Sequence, residues 1–162
     1  DIRDVEYHES FKKFMQTIEI HDFVIMIVSD HYLKSRNCMF EVLEVIKDSQ
    51  FQKKLAFIVL SDGDVQYYQD QNMSSIGAKV YSLEGQTAYS LHWAKVEKEL
   101  QEQIDALGDP TRAIHQIKEK RIVQKILLDL PEFMEFIKDA KGLPLAEHIN
   151  TEFMDILKFM GL

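Results

Sequence analysis

Two unbroken apolar runs, FVIMIV at 23–28 and LAFIVL at 55–60, stand out from an otherwise amphipathic chain. Neither alternates, which is how a strand reads when helices cover both of its faces, as in a parallel sheet. Ser29-Asp30 closes the first run and Ser61-Asp62-Gly63-Asp64 the second, and such clusters end strands. Between the runs, Met39, Val42, Leu43 and Ile46 recur at helical spacing behind Ser35, a good N-cap. Strand, helix, strand in this order is a βαβ unit, expected to cross over right-handed.

The flanks follow from the same pattern. Residues 1–9 are polar and read as a loop. Ser10 then caps a helix whose apolar face is Phe11, Phe14, Met15 and Ile18, ending near Ile20-His21-Asp22. Residues 65–86 read as a long polar surface loop with a short strand around Lys79-Val80-Tyr81. Helical spacing returns from Thr87 through Leu91, Val96, Leu100 and Ile104, until Gly108-Asp109-Pro110 breaks it. Ile117, Val123, Ile126, Leu127 and Leu130 mark another helix. Pro131 suits the first turn of a further one, carrying Phe133, Met134 and Ile137 and stopping at Gly142. Asn150 caps a last helix with Phe153, Ile156, Leu157 and Met160 on one face. The predicted fold is α/β: a flavodoxin-like parallel sheet with flanking helices and a helical C-terminal part over 110–162, packed on the sheet. Residues 1–162 are expected to form a single domain.

Composition narrows the function classes. The chain has 162 residues, 46% of them apolar, enough for a sizeable core. Its apolar runs reach only six residues, far short of a membrane span, and its charged start, Asp1-Ile2-Arg3-Asp4, does not read as a signal peptide. The net charge of −8 argues against general nucleic-acid binding, which needs clustered Lys and Arg, but leaves room for a small anion in a local positive field. A lone cysteine, Cys38, permits no internal disulfide and fits a reducing compartment, so a cytoplasmic location is expected.

No Gly-rich phosphate loop follows either strand, and there is no Gly-x-Ser-x-Gly elbow. The six histidines are scattered, without metal-ligand spacing, so no metal is expected. Glu41 points away from the Met39/Val42/Leu43/Ile46 stripe. Its ordinary reading is a solvated helix glutamate. Yet the crossover helix starts at the carboxyl edge of the sheet, and its second turn, which holds Glu41, stays near the crevice where open α/β folds bind ligands. Cys38 in the first turn reads as a packing residue. Ser29 and Asp30 either touch a ligand or cap and turn the chain. Tyr32 and Trp93 offer aromatic faces to a planar group, or pack. Arg3 and Asp4 read by default as a solvated pair.

The joint pattern resembles a TIR domain of the bacterial type. An apolar strand ends in Ser29, Tyr32-Leu33-x-Ser35 follows, and Cys38-x-x-Glu41 lies on the next helix. Upstream, Arg3-Asp4-x-x-Tyr7 and Phe14-Met15-x-x-Ile18 resemble the family's BB loop and the helix after it. Downstream, residues 57–60 resemble the next strand, and Val80-Tyr81-x-x-Glu84-Gly85 with His92-Trp93 resembles the late strand and helix. Two departures stand out. The family's leading strand, helix and second strand are not found before Asp1, so the domain is expected to be N-terminally incomplete, leaving the strand at 23–28 with an edge that is normally covered. Asn37 stands where many members carry Trp.

The resemblance implies one of two roles. Many bacterial members cleave NAD+ between nicotinamide and ribose, with the helix glutamate essential; others only assemble, TIR on TIR, in signalling. By motif position Glu41 is the matching catalytic residue, and Arg3, Asp4, Ser29 and Tyr32 are the implied substrate-binding residues. NAD+ enters as substrate, with no cofactor. The implied setting is an oligomerising effector of bacterial antiviral defence or related signalling. A receiver-like signalling domain is disfavoured, because Asp62 is a poor substitute for a phosphorylatable strand-end aspartate.

Overall fold

The computed structural model describes residues 12–68, 72, 75–139 and 142–162. Helix α1 covers 12–20 and leads into strand β1, Val24–Val28. A short helix α2, Asp30–Lys34, and helix α3, Arg36–Val45, follow, then a single turn α4, Ser49–Gln52, and strand β2, Leu55–Val59. A 3-10 helix, Asp62–Tyr67, opens the next loop. Two long helices come next, α5 at Leu83–Leu107 and α6 at Ile114–Asp139. The two-residue strand β3, Leu143–Pro144, precedes α7, Leu145–Asn150, and α8, Met154–Phe159. The strands form a parallel sheet in the order β1-β2-β3, with Val24 opposite Leu55 through Val28 opposite Val59, and Ile58 opposite Leu143. This is the expected α/β architecture of a parallel sheet with flanking helices.

The core forms where helix stripes meet β2. Met39, Val42, Leu43 and Val45 of α3 are buried, as are Val123, Ile126, Leu130, Phe133, Met134 and Ile137 of α6. Phe57 sits edge-on to Phe133 and Phe136, with ring centroids 6.0 and 5.8 Å apart. Gly85 is dictated by packing: a Cβ there would lie 2.1 Å from the Lys79 carbonyl oxygen, so only glycine lets α5 seat against the 75–80 segment. Gly108 ends α5 in the left-handed conformation, φ 66°, that glycine adopts without penalty.

Several expectations are corrected. β1 is not covered on both faces: Ile25 and Ile27 are 42% and 57% exposed, β1 pairs only with β2 among the described residues, and α8 reaches this side only at Phe23, whose ring sits edge-on to Phe159 at 5.3 Å. Between Ser29 and the Ser35 cap the chain forms a further helix, α2, that the pattern did not predict. Pro131 does not start a helix; it lies inside α6. The stripe Ile126, Leu130, Phe133, Met134, Ile137 runs through it without a phase break, so core burial outweighs the lost backbone hydrogen bond. Leu91 is 65% exposed, and the buried face of α5 is Gly85, Tyr89 and Trp93 instead. The strand expected around Lys79-Val80-Tyr81 is extended backbone outside the sheet ladder; its neighbours Ile76 and Ala78 bond to Asp30 and Leu60 at the carboxyl ends of β1 and β2. Asn150 does not cap the last helix: it ends α7, and that helix starts at Met154 as α8, after Glu152 and Phe153 at positive φ.

Candidate functional site at the carboxyl end of β1

Where β1 ends, two serine caps set the chain's direction twice within seven residues. The Ser29 hydroxyl accepts from the Tyr32 amide at 3.1 Å and starts α2. Ser35 both ends α2 and starts α3, its hydroxyl accepting from the Cys38 amide at 3.4 Å. Each cap satisfies an amide that the first turn leaves without a partner. A helix of five residues has no stability of its own. It is held by α5: the Trp93 indole N–H donates to the Leu33 carbonyl at 3.0 Å, and the Tyr89 hydroxyl donates to the Asp30 carboxylate at 2.8 Å. The Asp30 amide donates to the Ile76 carbonyl at 2.9 Å, and Leu33 is fully buried.

This fixed α2 presents Tyr32 to α3. Burial, and then the charges of Cys38 and Glu41, push the Tyr32 phenol above its usual range. The phenol, the Cys38 thiol and the Glu41 carboxyl therefore share one neighbourhood. Tyr32, Cys38 and Glu41 are all half-buried, and Glu41 lies in the second turn of α3. These residues follow the carboxyl end of β1, the edge of the sheet where parallel α/β folds bind ligands.

α3 is in turn clamped to α6. Arg36 pairs with Glu119 at 2.5 Å, and Lys47 reaches Glu44 at 3.0 Å and Asp129 at 3.5 Å. Lys125 bonds the same Glu44 carboxylate and lies over the Phe40 ring. Against the upward push of burial, the hydrogen bonds from Lys125 and Lys47 hold the Glu44 carboxyl below the usual range.

Of the residues singled out from the sequence, the structure brings Tyr32 and Glu41 together with Cys38. Ser29 stands at the start of α2 with its oxygen engaged as a cap. Arg3 and Asp4 lie outside the described residues. Trp93 is not a stacking face: it is 1% exposed and spends its indole N–H on α2. Asp30, read from the sequence as a ligand contact or a cap, proves to be a positioning residue, and its partner Tyr89 is the one that sequence reasoning missed. The available signals were the Ser29-x-x-Tyr32 capping spacing and the Gly85, Tyr89, Trp93 stripe at helical period.

No helix among the described residues is long and apolar enough to cross a membrane. Comparison with the curated proteins and with the solved structures yields no match. The family model described as TIR domain matches residues 3–140, a span that takes in β1, β2, the Ser29–Glu41 stretch and the helices behind it. The chain belongs to the TIR domain family.

Proposed function

We propose that this TIR domain is an NAD+ glycohydrolase that breaks the nicotinamide–ribose bond, with Glu41 as its catalytic carboxylate. The observation that carries this reading is the position of Glu41: in the second turn of α3, which follows β1 through the short α2, and near enough to the Tyr32 phenol for its charge to act on it. The reaction asks little of the protein. Glycosidases need a second acid to protonate the leaving group. Nicotinamide in NAD+ is already a cationic pyridinium; the bonding pair goes to its nitrogen and it leaves neutral. A carboxylate that holds the ribose hydroxyls and opposes the developing oxocarbenium charge is then sufficient, and water completes the hydrolysis. In this reading Tyr32, Ser29, Arg3 and Asp4 make the substrate contacts around Glu41. We place the activity in an effector of bacterial antiviral defence or related signalling, switched on by TIR–TIR contacts.

The second reading, a non-catalytic TIR interaction module, is favoured by one observation. Ile25 and Ile27 leave an apolar strip exposed along β1, continued at Phe23 where α8 meets it through Phe159, the kind of surface that marks an interaction site. The two readings part on one experiment: nicotinamide release from NAD+ by the full-length protein at high concentration, beside a folded Glu41→Ala variant. Release by the wild type alone supports the glycohydrolase. Equal release by both removes Glu41 from the mechanism, and no release by either, even after forced assembly, leaves the interaction module.

A further inference from the structure

A second cleft opens on the other side of α2. It has a volume of about 310 Å³ and is lined by Asp30, Lys34, Ser75, Lys79, Tyr89 and His92, among others. That size sits at the lower end of small-molecule pockets, roughly 300–1,000 Å³. Asp30 and Lys34 are four residues apart and share one face of α2, whereas Tyr32 is turned about 200° from Asp30, toward Cys38 and Glu41. The cleft is thus separate from the Glu41 neighbourhood although both lie at the carboxyl edge of the sheet.

The polar groups of the cleft divide into acceptors that are engaged and donors with capacity left. The Asp30 carboxylate accepts from the Tyr89 hydroxyl on one oxygen and from Lys34 on the other, at 2.8 and 2.9 Å. Nearby Asp62 accepts from the Gly77 amide and the Ser75 hydroxyl, at 2.9 and 3.0 Å. The donors are less committed. Lys34 uses one of its three N–H groups on Asp30. Among the described residues, neither the Lys79 ammonium nor the His92 ring makes a hydrogen bond or ion pair. The floor is low because the α5 positions beneath it are Gly85 and Ala88. In a chain of net charge −8, this pocket gathers two lysines and a histidine; Lys34 is paired with Asp30 and lies over the Tyr89 ring, and Lys79 stands near enough to Asp62 to act on its carboxyl.

We propose that this cleft is a ligand site for a small phosphate-bearing anion, held by Lys79, Lys34 and His92. A phosphate group has acceptors only, and it meets three donors converging on one pocket. The site stands whether or not Glu41 cleaves NAD+. His92 reports on it directly. Burial and then the Lys34 charge hold its pKa below the usual histidine value; Asp30 and Glu99 oppose this, and Lys95 adds to it. With Lys79 also facing the cleft, a bound anion shifts this balance and raises the His92 pKa.

The test is histidine ring NMR on the full-length protein, titrated with inorganic pyrophosphate and, separately, inorganic phosphate, at about 0.15 M salt. His92→Gln assigns the signal. The expected result is a saturable shift of His92 with an upward move of its titration, while exposed His21 and His31 stay still. Lys79→Gln, at an exposed position that leaves the fold intact, weakens binding at least about tenfold. Comparable affinity for both probes assigns a phosphate monoester; preference for pyrophosphate assigns a diphosphate. No saturable shift by about 10 mM, equal binding by Lys79→Gln, or a parallel drift of all histidines would overturn the proposal.

Discussion

β1 and β2 have nearly interchangeable sequences and opposite surroundings. Both lie in six-residue apolar runs, yet every residue of β2 is buried while β1 alternates, with Met26 and Val28 inside and Ile25 and Ile27 outside. The difference is topological. β2 is the central strand, paired on both sides, packed by α6 against Phe57 and contacted by α7. β1 has one paired neighbour among the described residues. An apolar run therefore states what a strand tolerates on its two faces, and its place in the sheet decides what it receives.

The comparison can be broken most sharply by matched substitutions. Phe57→Ala removes a fully buried ring from the centre of the core and should cost about 3–5 kcal/mol in urea unfolding. Ile27→Thr keeps a β-branched residue on the exposed face of β1 and should shift stability by no more than about 0.5 kcal/mol. A loss at Ile27 of the size seen at Phe57 would mean that this face is covered in the full-length protein, and the contrast between the strands would disappear.

A smaller effect tests the cover over β2. His148 of α7 is fully buried, stacks on Phe153, and has neither ring nitrogen hydrogen-bonded among the described residues. Burying such atoms carries a desolvation cost. His148→Leu should therefore raise stability by about 1 kcal/mol, measured by urea unfolding at neutral pH. A loss of stability would show that the ring is satisfied and that α7 depends on it.

The smallest effect separates the strand ends by acid. Glu44 on α3 is held below the usual range by Lys125 and Lys47 despite burial, and Asp62 after β2 by the Gly77 amide and then the Ser75 hydroxyl. Both folded pKa values lie below the unfolded ones. Their stabilisation is thus present above the unfolded carboxyl values, near pH 4, and is lost as pH falls through the folded values. Glu44→Gln and Asp62→Asn should each flatten the acid limb of a stability–pH curve, by no more than about 1 kcal/mol for a half-buried and an exposed group open to solvent screening. An unchanged acid limb would remove these contacts from the stability of α3 and of the turn after β2.

What was legible in the sequence tracks how local the cause is. The α3 stripe, the Ser35 cap and the ends of both apolar runs are set by neighbours in the chain, and they were readable. α2 was missed because five residues show no period, although the Ser29 cap was present. β3 was missed because a two-residue strand ending in Pro144 carries no pattern. Pro131 misled because its local preference for a helix start lost to a stripe that only α6 packing rewards. In the site, Glu41 and Tyr32 could be named from spacing and motif, whereas their positioning could not. Tyr89 and Trp93 reach α2 across some sixty residues, and no periodicity announces a hydrogen bond of that range.

The most direct test of the account separates binding from chemistry at Glu41. Steady-state nicotinamide release by the full-length protein and by Glu41→Gln gives kcat and KM for each. If the carboxylate opposes the oxocarbenium charge, Glu41→Gln lowers kcat by about 10²–10³ or more and leaves KM within a few-fold. An unchanged kcat with a raised KM would make Glu41 a binding residue only and contradict the proposed mechanism.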